Sequence, residues 1–278
     1  MRPEDVDGAF GVGRAALFSA GELESEEALR ARQIDRIGHL LETDPGGSWV
    51  AEHDGAIAGV AQALVRGPVW GFSLFAVAAE VQGRGVGRRL LEAALTHGGD
   101  AVRGWIVLST ELPAAMRRYA RAGLDLHPAV AARGIADRSR MPGVAARVQD
   151  AGEAGLALAD ELGRRVRGAG HARDLPVFLR NGFRLLTFDD RAFAVLAPTG
   201  VVSLLAARDP EAAQAVLWGA FAAAPPGATV GVDFLTAAQQ WAFPVVLDAG
   251  LALSPDGPVF LRGDVGPFAP YVPSGAWL

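Results

Sequence analysis

Apolar residues in the first forty-odd positions recur at helical spacing. Between Pro3 and Phe18 they fall at Val6, Phe10, Ala15, Ala16 and Leu17, and between Glu24 and Leu41 at Leu29, Ile34, Ile37, Leu40 and Leu41. That spacing predicts two amphipathic helices, the second stopped by Asp44-Pro45-Gly46-Gly47. The pattern then becomes that of strands: Ser48 to Glu52, Ala58 to Val65 and Val69 to Val77, punctuated by Gly55 and by Arg66-Gly67-Pro68. A helix is expected from Val86 to Thr96, a strand over Trp105 to Ser109, a helix from Pro113 to Ala122 closed by Gly123, and a strand from Pro128 to Gly134.

Residues from about Ala136 to Ala151 are polar and rich in arginine, proline and glycine, and read as a linker. The order then repeats. Helices are expected over Glu153 to Val166 and Leu175 to Asn181, and strands over Phe183 to Phe188, Ala192 to Leu196 and Val201 to Ala206. A helix from Pro210 to Ala223, a strand from Thr229 to Leu235, a helix from Ala237 to Ala249 and a strand from Val259 to Arg262 complete the second pass. The expectation is an α/β fold (α+β, with a mixed sheet) in two domains, residues 1–140 and 151–278, the second a diverged copy of the first.

Composition narrows the chemistry. Half of the residues are hydrophobic, enough for a sizeable core, and there is no cysteine, so thiolate nucleophiles and cysteine metal sites are excluded. The net charge is −5 and no basic run exceeds two arginines, which argues against a nucleic-acid partner. No apolar run approaches the roughly 18 residues of a membrane span, and Met1-Arg2-Pro3-Glu4-Asp5 lacks a secretory core. A cytoplasmic monomer or homodimer, with no membrane partner and no metal, is expected.

One segment carries specific chemistry. After the apolar strand ending at Phe75-Ala76-Val77 comes Gln82-Gly83-Arg84-Gly85-Val86-Gly87-Arg88-Arg89, a glycine-rich turn that opens a helix. Exposed backbone N–H groups at a helix N-terminus form an anion site suited to a pyrophosphate. Arg84, Arg88 or Arg89 can add charge-assisted bonds. The dinucleotide fingerprint does not apply, because Arg88 stands where its third glycine would be.

The arrangement Gln-x-x-Gly-x-Gly at Gln82 to Gly87 resembles the acyl-CoA-binding motif of the GNAT acetyltransferase superfamily. A second motif, Ala115, Tyr119, Gly123 and Leu124, is similar to that family's alanine, tyrosine, Gly-Phe pattern, with leucine replacing phenylalanine. The family's asparagine seven residues before the tyrosine is here Leu112. The resemblance implies two tandem GNAT-like acyl-CoA N-acyltransferase domains, with acetyl-CoA as donor and a small-molecule amine as acceptor. It also implies that the pantetheine arm lies along Phe75, Ala76 and Val77, that Gln82, Gly83, Arg84, Gly85, Val86, Gly87 and Arg88 hold the phosphates, and that Tyr119 protonates the departing thiolate.

Direct transfer to an amine needs a base. Glu111 follows a strand, and the C-terminal Leu278 carboxylate is a candidate because the apolar tail Tyr271 to Leu278 suggests docking into a groove. Asp35 and His39 read as a solvated i, i+4 pair, and Glu80 as an exposed turn residue. In the second copy the corresponding turn is Ala207-Arg208-Asp209-Pro210-Glu211, without glycines and with acids that repel a pyrophosphate, and Val246 replaces the tyrosine. One cofactor site, in the first domain, is therefore expected. The alternative is a non-catalytic acyl-CoA sensor on the same scaffold.

Overall fold

A computed structural model describes residues 1–17 and 25–278. The expected helix ends at Phe18 and Glu24 lie outside them. The chain resolves into two compact units, Met1–Arg103 together with Ala276–Leu278, and Gly104–Gly275.

In the first unit, α1 (Val6–Ala16) and α2 (Glu26–Thr43) precede β1 (Ser48–His53), β2 (Ala56–Arg66) and β3 (Val69–Val77), and α3 (Val86–Leu95) follows. Ser25 caps α2, its hydroxyl accepting from the Ala28 amide at 3.1 Å. The three strands pair antiparallel in sequence order. Ala9, Val12, Ile37, Val60, Leu74 and Ala76 are buried together, so the apolar stripes of both helices meet one face of the sheet. Opposite Gln62 and Ala63 the partners are Leu74 and Phe72. Ser73 therefore has no opposite residue and is the extra residue of a β-bulge.

In the second unit, β4 (Gly104–Leu108), α4 (Pro113–Arg121) and β5 (Asp125–Ile135) are followed by β6 (Gln149–Asp150), α5 (Leu156–Arg167), α6 (Leu175–Arg180), β7 (Arg184–Phe188), β8 (Ala192–Leu196) and β9 (Val201–Ala207). Then come α7 (Pro210–Ala223), β10 (Thr229–Leu235), α8 (Phe243–Asp248), β11 (Ala252–Gly263) and β12 (Tyr271–Val272). The strand order is β4-β11-β5-β10-β9-β8-β7-β6. All pairs are antiparallel except β9 with β10, joined through α7, so the sheet is mixed.

This order differs from a division at residues 140 to 151. β5, from the first sequence half, lies between β10 and β11 of the second, and β11 lies between β4 and β5. The first half places β5 between strands of the second, and the second places β11 between strands of the first, so residues 140–151 do not divide the compact bodies. β11 is also far longer than its expected four residues, because a register shift between Asp256 and Val259 absorbs Gly257 and Pro258.

One buried polar cluster ties three elements of the first unit. Asp44, 2% exposed, follows α2. Its Oδ1 accepts from the Val65 amide at 2.9 Å and lies 3.0 Å from His97 Nε2, while Oδ2 accepts from Arg66 at 2.8 Å. Burial alone would raise the Asp44 carboxyl, but His97, Arg66 and the Val65 amide outweigh it and hold the group well below the usual carboxylate range. A carboxylate with a depressed folded-state pKa contributes stability that is complete above its unfolded value and is lost as pH falls. Asp44→Ala leaves Arg66 buried without its carboxylate and is expected to cost about 3–5 kcal/mol by urea denaturation near neutral pH. The deficit should shrink below about pH 4, where the wild-type protein loses the same contribution.

Candidate active site

The strand, turn and helix read from the sequence are contiguous in the first unit. β3 ends at Val77, and Gly83 and Gly85 take left-handed φ angles of 77° and 83° before α3 begins at Val86. Only glycine adopts that backbone without strain. A Cβ at either position would have nothing within 4 Å, so the space over the turn is open. Gly85 is the N-cap of α3 and supplies no side chain to its amides. The first N–H groups of a helix have no intrahelical acceptor, which leaves an anion cradle of main chain and dipole here.

Gln82 turns back, its Nε2 donating to the Val77 carbonyl at 2.9 Å, which fastens the turn to the strand end. Arg84, Arg88 and Arg89 are exposed around the turn, with Arg88 pairing to Glu92 at 3.3 Å. Phe75, Ala76 and Val77 pair with Ala61, Val60 and Gly59 on one edge of β3. Glu80 is exposed.

The chain's last residues belong to this unit. Trp277 and Leu278 are 3% and 0% exposed. Trp277 meets His39 of α2 edge-on at 5.4 Å between ring centroids. Leu278 lies on the backbone of Gly71 in β3, where an added Cβ would be 2.1 Å from its Cδ1. His39 is accordingly half-buried.

Tyr119 and Glu111 belong to the second unit. Tyr119 lies on α4, is 5% exposed and packs edge-on to Phe260 at 5.4 Å. Burial pushes its phenol well above the ordinary value, against a smaller opposing effect of Arg118. Gly123 closes α4 with a φ of 80°, as its spacing predicts. Glu111 is exposed in the bend before α4.

The turn after β9, which the sequence pattern sets against the turn after β3, is built differently. The Asp209 side chain caps α7, accepting from the Ala212 amide at 3.0 Å, and Arg191 binds its two oxygens at 2.7 and 3.1 Å. That helix N-terminus already holds an anion, its own. β9 and β10 pair only through Val201 with Gly231 and Val202 with Val232. Further along β9, β12 pairs instead, Tyr271 opposite Ala206 and Val272 opposite Leu205. β8 occupies the other edge of β9, so the chain itself fills the gap that opens beside β10.

Sequence patterns did not single out Gln33, Arg36 or Ser73, which are buried between α2 and the bulge of β3. Arg36 Nη1 donates toward the Ser73 carbonyl at 3.5 Å. The available signal was register: Gln33 and Arg36 share the helix face of Leu29, Ile37 and Leu40.

Residues 15–124 match the model of the acetyltransferase (GNAT) family. No curated protein matches the chain. Among solved structures, a Pyrococcus horikoshii protein described as a candidate acetyltransferase superposes with a TM-score of 0.80 at 17% identity, over 100% of this chain and 94% of that one. A GCN5-related N-acetyltransferase from Kribbella flavida gives 0.60 at 17% identity over 97% and 71%, and one from Sphaerobacter thermophilus 0.54 at 16% over 95% and 94%. The fold is therefore the mixed α/β fold of these acetyltransferase structures. Among the described residues no helix is long and apolar enough to cross a membrane.

The notch at Gly71 gives a direct test of the tail's seat. Gly71→Val is expected to expel Leu278, seen as faster removal of the last residues by carboxypeptidase. Equal rates in the variant and the parent would show that Leu278 does not depend on the notch.

Proposed function

We propose that the protein is an acyltransferase that takes its acyl group from acetyl-CoA held at β3 and the Gln82–Gly87 turn. The observation that carries this reading is the pair of left-handed glycines leading into the uncapped N-terminus of α3, within a segment that matches an acetyltransferase family. The thioester supplies an activated acyl carbon. A neutral amine of a small molecule attacks it directly, the C–S bond breaks, and the thiolate leaves. No enzyme nucleophile is required, which suits a chain without cysteine.

The chain's own groups then have limited tasks. The amides of residues 83 to 87 bind phosphate, with Arg84 and Arg88 adding charge at the rim. Tyr119 donates a hydrogen bond to the leaving sulfur. Its raised pKa keeps the phenol protonated and makes it a donor rather than a source of a fully transferred proton. The Leu278 carboxylate and Glu111 are the candidate bases. The second copy holds no cofactor, since Asp209 occupies its helix terminus and β12 its strand gap.

A second reading, acyl-CoA binding without turnover, draws support from the burial of Tyr119 against Phe260.

CoA at about a hundred times its dissociation constant is expected to stabilise the protein by about 2.7 kcal/mol, with one molecule bound per chain by calorimetry. Gly83→Val and Gly85→Val together should abolish that stabilisation; two molecules per chain, or a response that survives the glycine changes, would overturn the assignment. Tyr119→Phe is expected to lower kcat by about 10² with CoA affinity intact, and unchanged turnover would remove Tyr119 from the chemistry. Deleting Trp277 and Leu278 from a chain that still folds tests the terminal carboxylate in the same way.

A further inference from the structure

The second unit contains a cavity of about 390 Å³ that acyl transfer does not use, and all of its lining residues belong to that unit. Its volume lies in the range of small-molecule sites, roughly 300–1,000 Å³. Ala215 and Trp218 of α7, Val245 of α8 and Phe188 at the end of β7 form a buried apolar wall. Pro142, Val144 and Pro244 continue it outward as an exposed apolar rim. Apolar walls with a few polar groups set among them are the usual composition of a ligand pocket.

The cavity has two distinct ends. Glu211, Gln214, Ala215 and Trp218 stand at i, i+3, i+4 and i+7 and so share one face of α7. At a rise of about 1.5 Å per residue, Glu211 and Trp218 are about 10 Å apart along that face. α8 runs beside it in the same direction. Gln214 Nε2 donates to the carbonyl of Trp241, just before α8, at 2.9 Å. At the other end the Ala249 carbonyl accepts from the Asp137 amide, and the adjoining Arg138 donates to the Ala224 carbonyl just after α7. Asp248 therefore stands at the Trp218 end of the cavity, and Glu211 at the far one.

Each end keeps hydrogen-bonding capacity that the protein does not use. Arg191 is engaged, binding both oxygens of Asp209 at 2.7 and 3.1 Å. Glu211, 3.7 Å from the same arginine, is exposed, and Gln214 Oε1 has no donor among the described residues. At the other end Asp248 makes no ion pair, and the indole N–H of Trp218, a residue 5% exposed, meets no acceptor among the described residues. Arg140 beside them helps to stabilise the Asp137 carboxylate. One end thus accepts from a cation. The other offers a donor and a carboxylate, the complement of a hydroxyl, which accepts from the first and donates to the second. We infer that this cavity binds a hydroxylated arylalkylamine: its ammonium donates to Glu211 and Gln214 Oε1, its ring lies along Ala215 and Val245, and its hydroxyl accepts from Trp218 and donates to Asp248. The proposal stands apart from the acyl-transfer reading, because none of these residues takes part in that reaction.

The test is calorimetry on the full-length protein without CoA. Tyramine is the probe, set against phenethylamine, which lacks the hydroxyl, para-ethylphenol, which lacks the amine, and para-hydroxyphenylacetate, which carries a carboxylate in its place. Tyramine should bind one site per chain at least about tenfold more tightly than each of the three. Binding by none of the probes, or tyramine no tighter than phenethylamine or para-ethylphenol, would overturn the inference. Tighter binding of hexamethylenediamine than of tyramine would overturn the class in favour of a dication held by both acids. Glu211→Gln is expected to weaken tyramine at least about fivefold and leave para-ethylphenol unchanged, and Asp248→Ala to cut the advantage of tyramine over phenethylamine. Both residues are exposed, so the melting temperature should hold in each variant. Tyramine binding that neither change alters would place the amine outside this cavity and sink the assignment. CoA binding and turnover are read separately, so failure here leaves acyl transfer standing.

Discussion

The pairing of β11 along both β4 and β5 is the constraint on which the second unit depends. A strand buried between two neighbours must satisfy N–H and C=O groups on both edges. Here the neighbours of β11 come from the first sequence half, while β5 of that half finds its second neighbour in β10. Neither half can complete its sheet without a strand of the other, β5 on one side and β11 on the other. A cut through the linker would expose unpaired edges on β5, β10 and β11, the kind of edge that promotes aggregation.

The two βα turns, after β3 and after β9, show how small the difference is between an open helix terminus and a sealed one. In the first, the glycines take conformations that expose amides and place no side chain over them. In the second, a single aspartate supplies the anion from within, and Arg191 neutralises it. The strand gap beside β9 is closed in the same manner, with backbone from β12 meeting backbone of β9. One helix terminus is thus satisfied by the chain's own aspartate, and the other is left without a side-chain cap.

Much of this was legible in the chain. Helical and alternating periods gave the elements of the first unit to within a few residues, since amphipathic packing against one sheet imposes them. The glycine turn, the closing Gly123 and the acidic turn at Asp209 were legible because each reflects a local backbone or charge requirement. The strand exchange was not, because a pairing between β5 and β11 leaves no periodic trace in either. Pro255, Gly257 and Pro258 hid most of β11 behind loop-like composition. The expected helix from Ala237 to Ala249 is split at Gln239, whose side chain folds back to accept from Thr236 and donates to the Phe268 carbonyl. Gln33, Arg36 and Ser73 escaped notice because a polar residue in an apolar register looks like noise until its burial is known.

The seat of Leu278 on Gly71 has a consequence for how the chain assembles. Residues 276–278 complete a unit whose other members all precede residue 104, so the contact that fills the notch is among the most sequence-distant in the protein. Such sequence-distant closures slow folding, because loop entropy is lost before the contact rewards it. The sheet of the first unit can therefore pair its neighbouring strands early, while the notch on β3 fills late.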